Sequence, residues 1–382
     1  MPDDVQTEPQ TEADSDALID AITNLLSPLL NAMEALSYVA RRLHPPVLAD
    51  LVASVAEVDP PLRQGLEAFR SQDWPEHMTA FAERMESAAV AVCHGFDNLR
   101  AGAAAPDGTM QAYRGIRQNV KAFAALYPIA TTLPPISRFF LDDAGRADEA
   151  LVEKLAAADH GREDIGLMHA NNEKDSQGGF SIYVPEYYDP DVSYPLIMAL
   201  HGGSGHGRDF LWSWLRDARS RGAIVITPTS IEGTWSLMEP EADHENIARI
   251  LAFAQEQWNI DPAHLLLTGM SDGGTFSYIS GLQSTSPFTH LAPISASFHP
   301  MLLEMMDADR IRDLPIYLTH GAQDWMFPID IARNAQQALT AAGAKLQYRE
   351  IADLSHTYPS DENPRILDWL FASPLGAPST NG

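Results

Sequence analysis

Three residues of the kinds that make up a nucleophilic triad each follow a strand-like segment. Ser271 lies in Gly269-Met270-Ser271-Asp272-Gly273-Gly274, a G-x-S-x-G match placed after the run Leu265-Met270 and before a helical segment. A serine hydroxyl is a weak nucleophile until a neighbouring base removes its proton, and a sharp strand-to-helix turn exposes it to both base and substrate. Flanking glycines relieve the crowding of such a turn. The backbone N–H of Asp272 would point from the helix N-terminus toward a developing oxyanion, an end that the Asp272 charge also suits. Asp324 closes His320-Gly321-Ala322-Gln323-Asp324 after the run Ile316-His320. His356 closes Ala352-Asp353-Leu354-Ser355-His356 after the candidate strand Leu346-Ile351. A carboxylate could orient the imidazole, and the imidazole could take the serine proton.

Each member alone has an ordinary reading. Ser271 could sit in a plain glycine-rich connection, Asp324 could be a solvated turn carboxylate, and His356 a loop histidine. Their joint arrival at three strand ends, in the order serine, acid, histidine, favours the triad. Asp330 and His320 compete for the acid and base positions; Asp330 is better explained as a helix-start residue. His201 precedes the glycine-rich stretch His201-Gly202-Gly203-Ser204-Gly205 and reads as a strand-end structural residue. That stretch would let backbone amides approach a ligand. It is not a phosphate loop: Gly202 and Gly207 have the spacing, but Arg208-Asp209 replace the lysine and hydroxyl residue. His244-Glu245 lacks the second histidine of a zinc motif because position 248 is Ala, so no metal is expected.

The elements that must position these residues have two grammars. From Leu18 onward, apolar residues recur at Ile22, Leu25, Leu29, Met33 and Leu36, one face of a helix. Further stripes run through Phe81, Met85, Ala88, Val92, Phe96 and Leu99, then Met110, Tyr113, Ile116, Val120, Phe123 and Tyr127. The expectation is an all-helical bundle over 15–165, preceded by a disordered acidic tail over 1–14. Strand patterns are expected only after about residue 178, over Phe180-Val184, Leu196-His201, Ala223-Thr227, Leu265-Met270, Leu291-Ser295, Ile316-His320 and Leu346-Ile351. Amphipathic segments separate them, which predicts an α/β domain with a mostly parallel sheet over 178–373 and a flexible tail over 374–382. In such a sheet, ligands gather beyond the carboxyl ends of the strands.

Composition narrows the partners. The chain has 382 residues, 45% hydrophobic and 20% charged, the balance of a globular protein. Its net charge of −27 argues against nucleic acid and anionic membrane surfaces, which require clustered Lys and Arg. The single cysteine, Cys93, rules out an intrachain disulfide and fits a reducing compartment. With no basic residue among the first twenty and no long apolar run, the expectation is a cytoplasmic protein without membrane insertion.

These motifs resemble the phospholipase/carboxylesterase branch of the α/β-hydrolase superfamily, and the related dienelactone-hydrolase and polyhydroxyalkanoate-depolymerase or feruloyl-esterase-like groups. The likeness spans about 180 to 372 and rests on His201-Gly202-Gly203-Ser204-Gly205, on Gly269 to Gly274, and on His320-Gly321-Ala322-Gln323-Asp324 with Pro328. One departure is Ser355, where the family usually has glycine before the catalytic histidine. The resemblance implies an α/β-hydrolase fold with an added helical domain, and cofactor-free ester hydrolysis by Ser271, Asp324 and His356. It implies oxyanion donors at Gly203 and Asp272, with Ser204 next. Small to medium acyl esters are the expected substrates; peptide or thioester hydrolysis, or a binding protein built on the helical domain, are the alternatives. Trp235, His299 and Trp325 are candidate pocket residues with Ser204. The short link between the strands ending at Ser295 and His320 leaves no room for a large lid. The helical domain could cover the site, mediate homo-oligomerisation or bind another protein.

Overall fold

The computed structural model describes residues 8–372, and contacts divide them between Phe139 and Phe140 into two compact units. The tail expected over 374–382 lies outside the described residues, as does 1–7 of the tail expected over 1–14; the backbone over 8–14 is helical. Among the described residues no helix is long and apolar enough to cross a membrane.

The first unit is helical: α1 (Glu8–Arg42), α2 (Leu48–Ser54), α3 (Asp59–Arg70), α4 (Thr79–Ala104), α5 (Thr109–Leu126) and α6 (Pro134–Phe139). The stripes read on α1 and α4 are its core, with Leu25, Leu29, Met33, Leu36, Met85, Ala88, Val92 and Leu99 all buried; Cys93 is buried too. Asp59 is buried and held by Arg63 at 3.0 Å and Arg100 at 2.6 Å, so its charge is paired rather than stranded. The stripe expected on α5 is displaced. Met110 is 63% exposed, while the buried face carries Ala112, Gly115, Asn119 and Ala122. The cause is a close approach of α4 and α5: a Cβ at Gly115 would stand 2.9 Å from the carbonyl oxygen of Gly95. Small residues therefore occupy the contact, and the larger apolar side chains flank it.

The second unit opens with α7 (Asp143–Ala147) and α8 (Glu149–Ala156), so the contact boundary falls at 139/140 where the sequence pattern drew it near 165. An eight-stranded sheet follows: β1 (Gly166–Ala170), β2 (Phe180–Val184), β3 (Tyr194–Leu200), β4 (Ile224–Pro228), β5 (Ile260–Met270), β6 (His290–Ile294), β7 (Pro315–Gly321) and β8 (Lys345–Ile351). Between and after the strands lie α9 (Gly207–Phe210), α10 (Leu215–Arg221), α11 (Glu241–Gln257), α12 (Asp272–Gly281), α13 (Met301–Glu304), α14 (Ala308–Ile311), α15 (Ile329–Ala341) and α16 (Asn363–Ala372). The seven expected strands are present, and β1 is an addition before the expected start at 178. It is a five-residue edge strand, mostly half-buried and lacking the period-two alternation that would betray it.

The sheet order is β1-β2-β4-β3-β5-β6-β7-β8; β1, β2 and β4 pair antiparallel and all remaining pairs are parallel. The inner strands β2, β4 and β6 are buried along their whole length, as expected for strands covered on both faces. After β3 the chain steps outward to β4, then crosses back to lay β5 on the other side of β3. The carboxyl ends of β3 and β5 are therefore the switch point, where open α/β sheets bind ligands.

Candidate active site

Ser271 stands at that switch point, between β5 and α12, with φ of +57°. An L-residue reaches this backbone region only when its surroundings hold it there. Here the Ser271 N–H donates to the Ile294 carbonyl at 3.0 Å, and the Ser271 carbonyl accepts from the Thr275 N–H at 2.8 Å. The flanking glycines answer to space. A Cβ at Gly273 would lie 2.4 Å from the carbonyl oxygens of both Leu200 and His201, and one at Gly269 would lie 2.5 Å from Gly273. The elbow is pressed against the end of β3, which leaves no room for side chains at either position.

The structure brings the three triad candidates together. His356 Nε2 is 3.0 Å from Ser271 Oγ, and His356 Nδ1 is 2.8 Å from Asp324 Oδ2. An ionised carboxylate can only accept, so Nδ1 carries the proton and Nε2 is left to accept from the serine hydroxyl. Burial pushes the Asp324 carboxyl up, but the hydrogen bonds from His356 and the Phe327 N–H, with the His356 and His320 imidazoles close by, outweigh it, leaving the pKa below the ordinary value. The other oxygen, Oδ1, accepts from the N–H groups of Met326 at 2.9 Å and Phe327 at 2.8 Å. All three residues are buried; Ser271 is 8% exposed.

Two features that sequence reading missed hold the acid and histidine loops together. The Gln323 N–H donates to the Leu354 carbonyl at 2.9 Å, and a Cβ at Gly321 would stand 2.2 Å from that same oxygen. The Phe327 ring meets the His356 imidazole edge-on, with centroids 5.3 Å apart. The signal for the first was the glycine in His320-Gly321-Ala322-Gln323-Asp324, which marks a close approach of backbone. Phe327 carried none.

The loop after β3 lies against the elbow: a Cβ at Gly202 would be 3.6 Å from the Ser271 Cβ, and one at Gly203 would be 2.7 Å from Asp272 Oδ2. That carboxylate also accepts from the Thr234 hydroxyl at 2.7 Å, which joins the loop after β4 to the first residue of α12. The N–H of Asp272 belongs to the first turn of α12, whose amides have no partner within the helix. His201 is structural, as expected. Its Nε2 accepts from the Ser230 N–H at 3.1 Å, its Nδ1 is 2.8 Å from the Gly202 carbonyl, and burial lowers its pKa to about 4.

The candidate pocket residues separate. Trp235 does not line an open surface: it is 1% exposed, its Nε1–H donates to the His201 carbonyl at 2.8 Å, and its ring packs between His201 and Phe276. An aromatic residue in a loop becomes core when the loop folds inward, and here Asp243 folds it, accepting from the N–H groups of Ile231 and Ser236. Ser204 is exposed with φ of +54°, His299 is exposed beyond β6, and Trp325 is 49% exposed beside Asp324.

Behind His356, a buried polar chain anchors its loop. Tyr358 donates to Asn363 Oδ1 at 2.8 Å, and Asn363 Nδ2 donates to Asp217 Oδ2 at 3.0 Å and to the Ser213 carbonyl at 2.7 Å. Burial raises the Asp217 pKa to about 7, with the Asn363 hydrogen bond opposing and the Asp142 charge adding to it. A carboxyl whose folded pKa exceeds its unfolded one holds its proton more tightly when folded, so stability falls as pH climbs from about 4 through 7. Asp217→Asn keeps an acceptor for Asn363 and removes the ionisation. It is expected to match the wild type near pH 4 and to exceed it at pH 8 by up to about 4 kcal/mol, read from urea midpoints. Equal differences at both pH values would place the titration elsewhere.

Residues 241–372 match the phospholipase/carboxylesterase family model. A bifunctional acetylxylan esterase/xylanase of Neocallimastix patriciarum is 29% identical over 209 residues, covering 51% of this chain and 28% of that protein. Feruloyl esterase C of Emericella nidulans is 26% identical over 159 residues, covering 40% of this chain and 56% of that protein. The chain thus spans about a quarter to just over half the length of these curated relatives. A thermostable esterase of solved structure aligns over 55% of this chain and 62% of its own, with 22% identity and a TM-score of 0.45. Residues 241–372 are thus similar to phospholipases and carboxylesterases, and they lie in a unit built on a mostly parallel eight-stranded sheet with flanking helices.

Proposed function

We propose that the second unit hydrolyses carboxylic esters through an acyl-enzyme formed on Ser271. The observation that carries this reading is the hydrogen-bonded run from Ser271 Oγ through His356 to Asp324, assembled from the ends of β5, β7 and β8. Ser271 Oγ attacks the ester carbonyl carbon as His356 Nε2 takes its proton, and Asp324 stabilises the imidazolium through Nδ1–H. The N–H groups of Gly203 and Asp272 donate to the oxyanion of the tetrahedral intermediate. Collapse breaks the bond to the alkoxy oxygen, which leaves as alcohol with the proton from Nε2. Water then attacks the acyl-serine, gives its proton to His356, and the acid departs as Ser271 is reprotonated.

Small to medium acyl groups are the proposed substrates. The names of the curated relatives point to acetyl and feruloyl esters as the first to try. Trp325 and Met326, on the loop that follows β7 and carries Asp324, present exposed apolar surface. The Met326 side chain can adapt its shape to what it covers, which suits an acyl or aryl group.

The test is turnover of p-nitrophenyl acetate, p-nitrophenyl butyrate and methyl ferulate by the purified chain, with labelling by a fluorophosphonate probe. Hydrolysis accompanied by stoichiometric labelling is expected. A folded protein that neither labels nor turns over any ester in the panel would remove the proposal.

A further inference from the structure

We infer that His320 is a positioning residue for the reaction: through the Phe327 carbonyl it fixes the turn that presents Asp324 to His356. The inference rests on the reading of Asp324 as the acid of the triad. His320 is the second-last residue of β7 and has no solvent exposure. Its Nε2 lies 2.8 Å from the Phe327 carbonyl oxygen, which can only accept, so Nε2 bears the proton. The same Nε2 is 3.5 Å from Asp324 Oδ2, the oxygen that faces His356. Its Nδ1 has no hydrogen-bond partner among the described residues. The charged and titratable groups acting on it are Asp324, His356 and Glu350, and burial dominates them to lower its pKa, which keeps the ring neutral.

Phe327 is the hinge of this arrangement. Its N–H donates to Asp324 Oδ1, its ring braces His356 edge-on, and its carbonyl accepts from His320. One donor on a rigid inner strand therefore holds a residue that supports both the carboxylate and the imidazole. Without that donor the Phe327 carbonyl loses its partner and the turn can pivot, which shifts both groups relative to Ser271. An imidazole displaced by a fraction of an ångström still permits substrate to bind, so the loss should appear in kcat and not in KM.

The experiment compares His320→Leu, His320→Asn and His320→Gln with Asp324→Asn on a single p-nitrophenyl ester. Rates are taken per active site titrated with a fluorophosphonate, and folding is checked by near-UV circular dichroism. A glutamine amide nitrogen reaches where Nε2 stood, whereas an asparagine amide stops near the Nδ1 position. His320→Leu and His320→Asn are expected to lose about tenfold to a hundredfold in kcat with KM within about twofold, and His320→Gln to recover most of that loss. If the leucine variant fails to fold, the asparagine and glutamine pair supplies the comparison. Wild-type kcat in His320→Asn beside a collapsed Asp324→Asn overturns the inference and leaves the triad standing. Equal losses in the glutamine and asparagine variants overturn it too, because the ring would then serve only packing. Wild-type kcat in Asp324→Asn defeats the reading on which the inference rests.

Discussion

Replacing Ser271 with alanine is expected to lower kcat by about 10⁵- to 10⁶-fold and to abolish fluorophosphonate labelling, because covalent catalysis has no other route once Oγ is gone. The fold should survive. The bonds that hold this residue at positive φ run through its backbone, from its N–H to Ile294 and from Thr275 to its carbonyl. Alanine retains both and loses only the hydroxyl that faces His356 Nε2. A residual rate of about 10³-fold over the uncatalysed reaction is expected from the oxyanion amides and substrate binding alone. Single-turnover hydrolysis and unfolding midpoints of the two proteins decide the matter. A variant that keeps a substantial fraction of wild-type turnover with unchanged stability would move the nucleophile to another residue.

Asp324→Asn is the second large effect, at about 10⁴-fold in kcat. The substitution is nearly isosteric, and the side-chain carbonyl can still accept from the Met326 and Phe327 N–H groups, so the turn should persist. The position facing His356 Nδ1 at 2.8 Å then becomes an NH₂ donor. A donor there demands a lone pair on Nδ1 and drives the proton to Nε2, where the imidazole can no longer accept from Ser271. The base is present, in place, and in the wrong tautomer. KM should change little, since no substrate contact is removed. Stopped-flow measurement of acylation separates this outcome from a loss of binding. An unchanged acylation rate would show that the imidazole does not depend on this carboxylate.

The grouping of Ser271, His356 and Asp324 was legible because each member depends on a local sequence constraint at a strand end. Gly273 faces two carbonyl oxygens at the end of β3, and Gly321 faces the Leu354 carbonyl, so these glycines record close approaches that a reader can recognise before seeing them. The strands before Ser271 and Asp324 are largely apolar runs, the strand before His356 alternates polar and apolar residues, and their order along the chain limits how they can be wound into one sheet. The positions that misled the reading depend on partners far away in sequence. The stripe Met110, Tyr113, Ile116 and Val120 has helical spacing, yet α5 turns its small residues inward because Gly95 on α4 admits its backbone so closely. Helical periodicity identifies a face, but the packing distance selects which face is buried.

Trp235 and His320 make the same point at the site itself. Both stand near the candidate-site loops in the chain, and their residue types suit a pocket wall and a general base. Whether an aromatic loop residue lines a pocket or fills the core depends on the direction of the loop, which Asp243 sets through two backbone N–H groups. Whether a strand-end histidine reaches substrate or supports a turn depends on the side of the strand from which a carbonyl approaches, here that of Phe327. The sequence alone determined the chemistry available at three strand ends, because strand, turn and glycine signals are local. Tertiary structure decided which neighbours hold that chemistry in place, because those contacts are set by the winding of the sheet and not by spacing along the chain.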